Sequence, residues 1–248
     1  MDVHDDEGAT PPRPTPKAKR RLSLWQETFV LLGAALVLSF VVKTFFVQAF
    51  YIPSGSMEPG LEINDRILVQ KVSYWGGRTP QRGDIVVFED PGDWLGPGEE
   101  VGPTSPVGKV LGKIGLYPTG GHLVKRVIGV EGDVIECCDD EGRLLVNGTP
   151  IESDFTRNDM SCDGPMVTDC EAGWTSGPVP DGELFVLGDH RDASADSSAH
   201  MCRESETDCV PGGEFVPADL VVGKVFARVW PASRFAFLHK PDTFADVD

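Results

Sequence analysis

Two serines stand out in the chain as residues that could attack an amide or ester bond. Ser54 and Ser56 flank Gly55 in a run, 52–60, that also holds two prolines. Proline and glycine at this spacing favour a rigid turn, and such a turn can present a hydroxyl group. A plain turn is the alternative. A serine hydroxyl is a weak nucleophile until a base removes its proton, so the chemistry needs a partner elsewhere in the chain.

The candidate base is Lys125, which lies in the apolar run 121–133. If the run is a strand, Lys125 shares one face with Leu123 and Val127. Burial among aliphatic neighbours disfavours the charged ammonium and lowers the pKa of a lysine, so that the amine can serve as a general base. The alternative is a lysine at a strand edge that extends into water.

A third segment, 187–198, is too polar for a core strand. A calcium loop is one interpretation, but Ser197 and Arg203 replace the glycine and the closing glutamate of an EF-hand. A Ser-His-Asp triad is disfavoured because Asp189 and His190 are neighbours in sequence, and neighbours rarely point at one another. The sequence predicts no metal site and no cofactor site.

One long apolar segment precedes these residues and predicts a transmembrane helix over 22–43. Glu27 is the only charge among the 21 residues between Arg21 and Lys43, and at ~1.5 Å per residue this length matches a bilayer core of roughly 30 Å. Residues 1–21 form a polar, proline-rich tail with a basic cluster, which predicts a disordered cytoplasmic N-terminus and an outer location for the rest of the chain. A cleaved secretory signal is the alternative, which Lys43 disfavours.

The remaining residues, 44–248, read as one extracytoplasmic domain made mostly of short strands. The strand candidates are rich in Val, Ile and Leu: 65–71, 84–88, 123–130, 144–146, 184–187 and 220–229. Asn147-Gly148 predicts a hairpin turn, with a glycosylation sequon as the alternative. Residues 134–183 look like a small insertion between two strands.

All six cysteines follow the membrane segment, which favours structural disulfides in an oxidising compartment. They are Cys137, Cys138, Cys162, Cys170, Cys202 and Cys209. Loop closure favours the local pairs Cys162/Cys170 and Cys202/Cys209, although other pairings stay open. A zinc site is the alternative, but the sequence has no Cys-x-x-Cys pair.

Composition excludes several classes of protein. With 40% hydrophobic and 25% charged residues, the 248-residue chain is neither disordered nor a multi-span membrane protein. The net charge of −17 disfavours nucleic-acid binding, because phosphates require a basic surface. Residues 1–24 carry a net charge of +1, so the acidic excess belongs to the outer domain.

Four short boxes follow the membrane segment in a specific order. They are Pro53-Ser54-Gly55-Ser56-Met57, Arg82-Gly83-Asp84, Lys125-Arg126-Val127-Ile128-Gly129, and Gly188-Asp189-His190-Arg191 with Ser194 and Asp196. In this order, and with Trp230-Pro231 after a final strand, they resemble bacterial type I signal peptidases over about residues 25–231. The resemblance implies a mainly β, signal-peptidase/LexA-like antiparallel β catalytic domain with a small β insertion, preceded by one transmembrane helix.

The resemblance also implies a membrane-anchored serine endopeptidase that removes N-terminal signal peptides from exported preproteins by a Ser-Lys dyad. Ser56 matches the nucleophile, Lys125 the general base and Ser54 an oxyanion-stabilising hydroxyl. Residues matching those that orient the lysine or brace the site are Ser194, Asp189, Arg191, Asp196 and Arg126. Residues expected to bind the extended substrate are Ile52, Pro53, Met57, His122, Leu123 and Val124.

The implied partners are the signal peptides of exported preproteins and the lipid of the cytoplasmic membrane, with no nucleic acid. Two residues depart from the family pattern: His190 stands where members often have Asn, and Ser198 where many have Arg. Because an arginine there would pair with Asp196, its absence removes one partner of that carboxylate. The alternatives are a self-cleaving Ser-Lys repressor, which the anchor disfavours, and a non-catalytic anchored binding protein, which the intact Ser56 and Lys125 disfavour.

Overall fold

The structure is a computed structural model that describes residues 23–92, 94–95, 121–159, 173–202 and 209–247. The chain divides into two compact units, residues 1–40 and 41–248. The expected cytoplasmic tail and the expected pair Cys162/Cys170 lie outside the described residues.

Helix α1, Leu24–Val41, lies within the segment expected to cross a membrane. A capping box begins it: the Ser23 hydroxyl accepts the Gln26 N–H at 3.4 Å, and the Gln26 side chain accepts the Ser23 N–H at 3.1 Å. The mean hydropathy over its 18 residues is 1.7, and none of them is buried. Its length and composition therefore suit a membrane span. One π-helical turn, Val42–Phe46, follows.

The structure assigns twelve strands among the described residues. In chain order they are β1 (Val47–Tyr51), β2 (Arg66–Gln70), β3 (Ile85–Glu89), β4 (His122–Gly129), β5 (Ile135–Cys137), β6 (Leu144–Val146), β7 (Thr149–Pro150), β8 (Trp174–Thr175), β9 (Glu183–Leu187), β10 (Val216–Pro217), β11 (Val221–Trp230) and β12 (Ala236–Phe237). The six strand candidates from the sequence all correspond to members of this set.

Eight of these described strands form one antiparallel sheet in the order β1-β2-β11-β3-β4-β9-β10, with β12 beside β11. The prediction of a mainly β, antiparallel domain is confirmed. β3 lies inside the sheet, and its aliphatic run is buried on both faces, since Ile85, Val86, Val87 and Phe88 are each at most 5% exposed. This continuous run explains why β3 lacks the alternation of a half-exposed strand.

The other four described strands form a smaller sheet, in the order β7-β6-β5-β8. All of them lie between residues 134 and 183, the range expected to form an insertion. Asn147 and Gly148 join β6 to β7 with φ angles of 52° and 78°, as a type I′ turn requires. The predicted hairpin turn is therefore confirmed.

Two disulfides lie within the described ranges. Cys202–Cys209 confirms the pair that loop closure favours. Cys137 bonds to its neighbour Cys138 at the end of β5, a pairing that was not predicted.

Candidate active site

The side chains of two serines that are far from Lys125 in sequence meet at its amine. Its Nζ lies 2.9 Å from Ser56 Oγ and 2.9 Å from Ser194 Oγ. Ser56 lies in the turn after β1, Lys125 lies within β4, and Ser194 follows a 3-10 turn after β9. Each serine is 69 residues away from the lysine in sequence. The structure thus brings together the residues expected to be nucleophile, base and orienting hydroxyl.

Lys125 is removed from water. It is only 3% exposed, and it lies opposite the fully buried Val86 of β3. The alternative of an edge lysine that extends to solvent is therefore wrong. Burial disfavours the charged form of an amine, and a hydroxyl can accept a hydrogen bond from an ammonium or donate one to a neutral amine. Both serine contacts are thus compatible with a lysine that exchanges a proton.

Gly188 allows the serines to approach this closely. A Cβ built on Gly188 would lie within 3.0 Å of the Ser194 hydroxyl and of the Ser56 carbonyl oxygen. Both of these atoms are part of the site, so neither can move without changing the contacts of Lys125. The glycine is required here by close packing, because any side chain would occupy the space that the two serines share.

We expect Gly188→Ala to lower kcat for peptide cleavage at least 100-fold, because the added methyl group displaces Ser194 or Ser56, and a displacement near 1 Å can cost about 10²-fold. Steady-state kinetics on a peptide substrate measure the effect. Gly177→Ala is the matched control, since a Cβ at Gly177 meets nothing within 4 Å. Wild-type kcat in Gly188→Ala would show that the close approach is not needed.

Arg126, next to Lys125 in β4, anchors the loop that follows β9. Its guanidinium makes two parallel hydrogen bonds to Asp189, at 2.7 and 2.6 Å, and donates to the Gly83 carbonyl at 2.9 Å. Phe155 covers the guanidinium, with its ring centre 4.6 Å from Cζ. Arg126 and Asp189 are 5% and 1% exposed, and such a buried bidentate pair fixes geometry well. The pair holds β4, the start of β3 and this loop together.

Ser54 lies at the mouth of the site. Its Oγ is 3.4 Å from Ser56 Oγ, and the pair is exposed. This is the position expected of a hydroxyl that could reach an oxygen of a bound substrate. Ser54 and Ser56 thus share one turn, in which the Ser56 hydroxyl contacts Lys125 and the Ser54 hydroxyl lies beside that of Ser56.

A family model described as signal peptidase, peptidase S26, matches residues 25–230. The chain belongs to this family. Signal peptidase I of Mycobacterium tuberculosis is 39% identical over 248 residues, covering 93% of this chain and 80% of that protein. Signal peptidase I of Leptolyngbya laminosa is 31% identical, covering 95% of this chain and 93% of that protein. A crystal structure of a signal peptidase I from Enterococcus faecalis matches 59% of this chain and 97% of its own, with 22% identity and a TM-score of 0.33.

Family membership makes the protein a serine endopeptidase that cleaves signal peptides. Membrane association is a property of this family, and the length and composition of the apolar helix α1 are compatible with it. The resemblance found in the four sequence boxes is therefore confirmed.

The peptidase keeps a complete network around Asp196 without the arginine that is common in the family. Asp196 Oδ2 accepts the Gly188 N–H at 2.8 Å, and Oδ1 accepts the Ser198 hydroxyl at 2.6 Å and the Ser198 N–H at 3.2 Å. Arg191 is 2% exposed, and its Nε donates to the Gly188 carbonyl at 3.0 Å. The Ser198 hydroxyl thus takes the place of the missing partner of Asp196, and both polar groups of Gly188 are held.

Two residues of the expected substrate-binding set are buried. The side chains of Ile52 and Met57 are 2% and 1% exposed and pack in a core cluster with Ile67 and Val69. The Ile52 N–H donates to Asp65 O at 2.9 Å, and its carbonyl accepts the Asn64 N–H at 3.0 Å. The side chains of Ile52 and Met57 therefore shape the turn from inside, and the expected role of these two residues in substrate binding stays a prediction.

The other expected substrate residues lie beside an open strand edge. His122, Leu123 and Val124 pair with β3 on one side, whereas β9 pairs with β4 only from Arg126 onward. Within the described part of the chain, no strand pairs with the other edge of the first three residues. The His122 ring lies 5.3 Å from that of Phe50, at the end of β1. The His122 side chain therefore contacts the strand that leads to Pro53 and Ser54.

Sequence reasoning missed several residues of the site. The sequence marks Gly188 only as part of a box and assigns His190 no role in the site, and it does not single out Phe155 or Arg157. The insertion supplies Phe155 and Arg157, and nothing in their local sequence indicates that they reach the site.

Proposed function

We propose that this signal peptidase uses Ser56 as its nucleophile and Lys125 as its general base, at the outer face of the membrane that α1 spans. The observation that carries the proposal is the 2.9 Å distance between Lys125 Nζ and Ser56 Oγ at a lysine that is 3% exposed. The distance lies within hydrogen-bond reach, as direct proton transfer requires.

In the first half of the reaction, neutral Lys125 accepts the Ser56 proton while Ser56 Oγ attacks the scissile carbonyl carbon. The oxyanion that forms is stabilised by the Ser54 hydroxyl and the Ser56 N–H, and such a donor contributes about 3–4 kcal/mol in the transition state. As the tetrahedral intermediate collapses, the carbon–nitrogen bond breaks and the Lys125 ammonium gives its proton to the leaving amine. The signal peptide stays bound to Ser56 as an ester.

In the second half, Lys125 takes a proton from a water molecule, which attacks the ester. The bond to Ser56 breaks, the serine recovers its proton, and the signal peptide leaves with a free carboxylate. Ser194 holds the amine in place throughout, because its Oγ lies 2.9 Å from Nζ on a residue that is fully buried.

Substrate binds as an extended strand along the open edge of His122–Val124, with Pro53 and Ser54 on its other side. Backbone hydrogen bonds along a free edge recognise a chain in extended form without reading its side chains. This suits signal peptides, and small pockets near the cut would select alanine-sized residues.

The anchor and the domain limits complete the proposal. Residues 22–43 span the cytoplasmic membrane, the basic tail 1–21 stays inside, and residues 44–248 form the outer catalytic domain, with 134–183 as its insertion. The mechanism uses no metal and no cofactor, so a chelator should leave the activity unchanged.

The proposal is tested by incubating the purified full chain, in detergent micelles, with a preprotein that carries a signal peptide. We expect one cut after the signal peptide, identified by the mass and the N-terminal sequence of the product, and unaffected by a chelator or a thiol reagent. No cut at that junction, or a cut that a chelator abolishes, would contradict it.

A further inference from the structure

The turn that carries the nucleophile, residues 54–58, is held through two of its carbonyl groups by His190. The His190 N–H donates to Ser56 O at 3.0 Å. The His190 ring reaches the preceding residue, with Nδ1 3.1 Å from Gly55 O. A backbone contact can be made by any residue, but the contact to Gly55 depends on the side chain.

The contact with Gly55 determines which ring nitrogen carries a proton. A carbonyl oxygen only accepts hydrogen bonds, so Nδ1 must be the donor. Nε2 lies 3.3 Å from Asp192 Oδ1, on the other side of the ring. The His190 side chain is 11% exposed. The ring is therefore largely enclosed, with its donor directed at the nucleophile turn.

A second tether joins the same turn to the insertion. Glu58 accepts a hydrogen bond from Arg157 Nη1 at 2.7 Å, and the backbone of Arg157 bridges Asp189 and Arg191 at 2.8 and 2.9 Å. The Arg157 side chain is 47% exposed, so water competes for this ion pair, and exposed pairs of this kind contribute little. The enclosed His190 contact is the stronger restraint of the two.

We infer that the His190 side chain is a positioning residue for the cleavage reaction. By holding the Gly55 carbonyl, it keeps Ser56 Oγ within reach of Lys125, which matters because a misplacement of about 1 Å can cost about 10²-fold in rate. This role rests on the proposed function of Ser56. Asparagine can fill the same role, since its side-chain nitrogen occupies the place of Nδ1.

The test compares three variants of the full chain in detergent micelles, with kcat and KM measured on a preprotein or peptide substrate. His190→Asn places an amide donor at the Nδ1 position, and kcat should stay within about threefold of wild type. His190→Gln places its amide at the Nε2 position, and His190→Leu has no donor, so both should lower kcat roughly 10- to 100-fold. KM should stay within twofold in all three. His239→Leu, at an exposed histidine, is the matched control.

Wild-type kcat in both His190→Gln and His190→Leu would overturn the inference, and so would an equal loss in His190→Asn. His190→Gln keeps a polar side chain, so it tests the contact even if His190→Leu lowers the unfolding temperature. These outcomes differ from those expected if the proposed function is wrong. In that case the wild-type protein would not cleave the substrate, or Ser56→Ala would cleave it at the wild-type rate.

Discussion

Ser56→Ala should abolish cleavage, with a fall in kcat of at least about 10³-fold, which corresponds to roughly 4 kcal/mol in the activation free energy. Alanine has no oxygen to attack the carbonyl, and the exposed neighbour Ser54 lies 3.4 Å from Ser56 Oγ rather than beside the lysine amine. The measurement is cleavage of a preprotein over hours, with KM determined separately by competition.

Two controls make this result specific. Ser233→Ala changes an exposed serine and should cleave like wild type. Ser54→Ala should lower kcat by a smaller factor, about 10²–10³, because it removes one oxyanion donor and leaves the nucleophile in place. Residual activity in Ser56→Ala within tenfold of wild type would remove Ser56 from the mechanism.

Lys125→Met should lower kcat at least about 10³-fold while leaving the fold intact. Methionine has a similar length and fills the buried space. Lys125 is 3% exposed, so replacing its amine removes the cost of taking that amine out of water and does not destabilise the fold. Lys125→Arg should be equally inactive, because a guanidinium stays protonated and cannot act as a base. The measurements are kcat on a peptide substrate and the unfolding temperature in the same detergent.

The matched control for the lysine is Lys240→Met, at an exposed position. It should keep wild-type kcat. If Lys125→Met retained activity within tenfold of wild type with an unchanged unfolding temperature, another group would have to accept the Ser56 proton.

Six of the twelve described strands, and the proposed pair Ser56 and Lys125, were predictable because they leave local signals. Strand alternation places Lys125 between Leu123 and Val127, and the aliphatic run 85–88 requires burial whatever it packs against. The boxes around Ser56 and Asp189 were recognisable from their order. The strand pattern therefore indicates partial desolvation of the lysine amine, and it leaves open an edge lysine that extends into water.

Other features depend on which segments pack together, and no local pattern carries that information. Arg157 contacts Glu58 of the nucleophile turn although the two residues are 99 positions apart in sequence. Gly188 is required because two distant serines converge on it, and glycine is common enough in loops that its role cannot be read from sequence. The sequence shows only that an arginine partner of Asp196 is missing, whereas in the structure the 3-10 turn at 197–199 brings the Ser198 hydroxyl to Asp196 directly.

The central claim is that Ser56 attacks the substrate while Lys125 activates it. The most direct test uses a signal-sequence peptide that ends in an activated carbonyl group and can acylate the nucleophile. The two measured quantities are the residue that is acylated and the rate of acylation. After digestion, mass spectrometry should find the acyl group on the fragment that contains Ser56, with labelling at least about 10³-fold slower in Lys125→Met. Acylation of another residue, or labelling of Ser56 at the wild-type rate in Lys125→Met, would contradict the account.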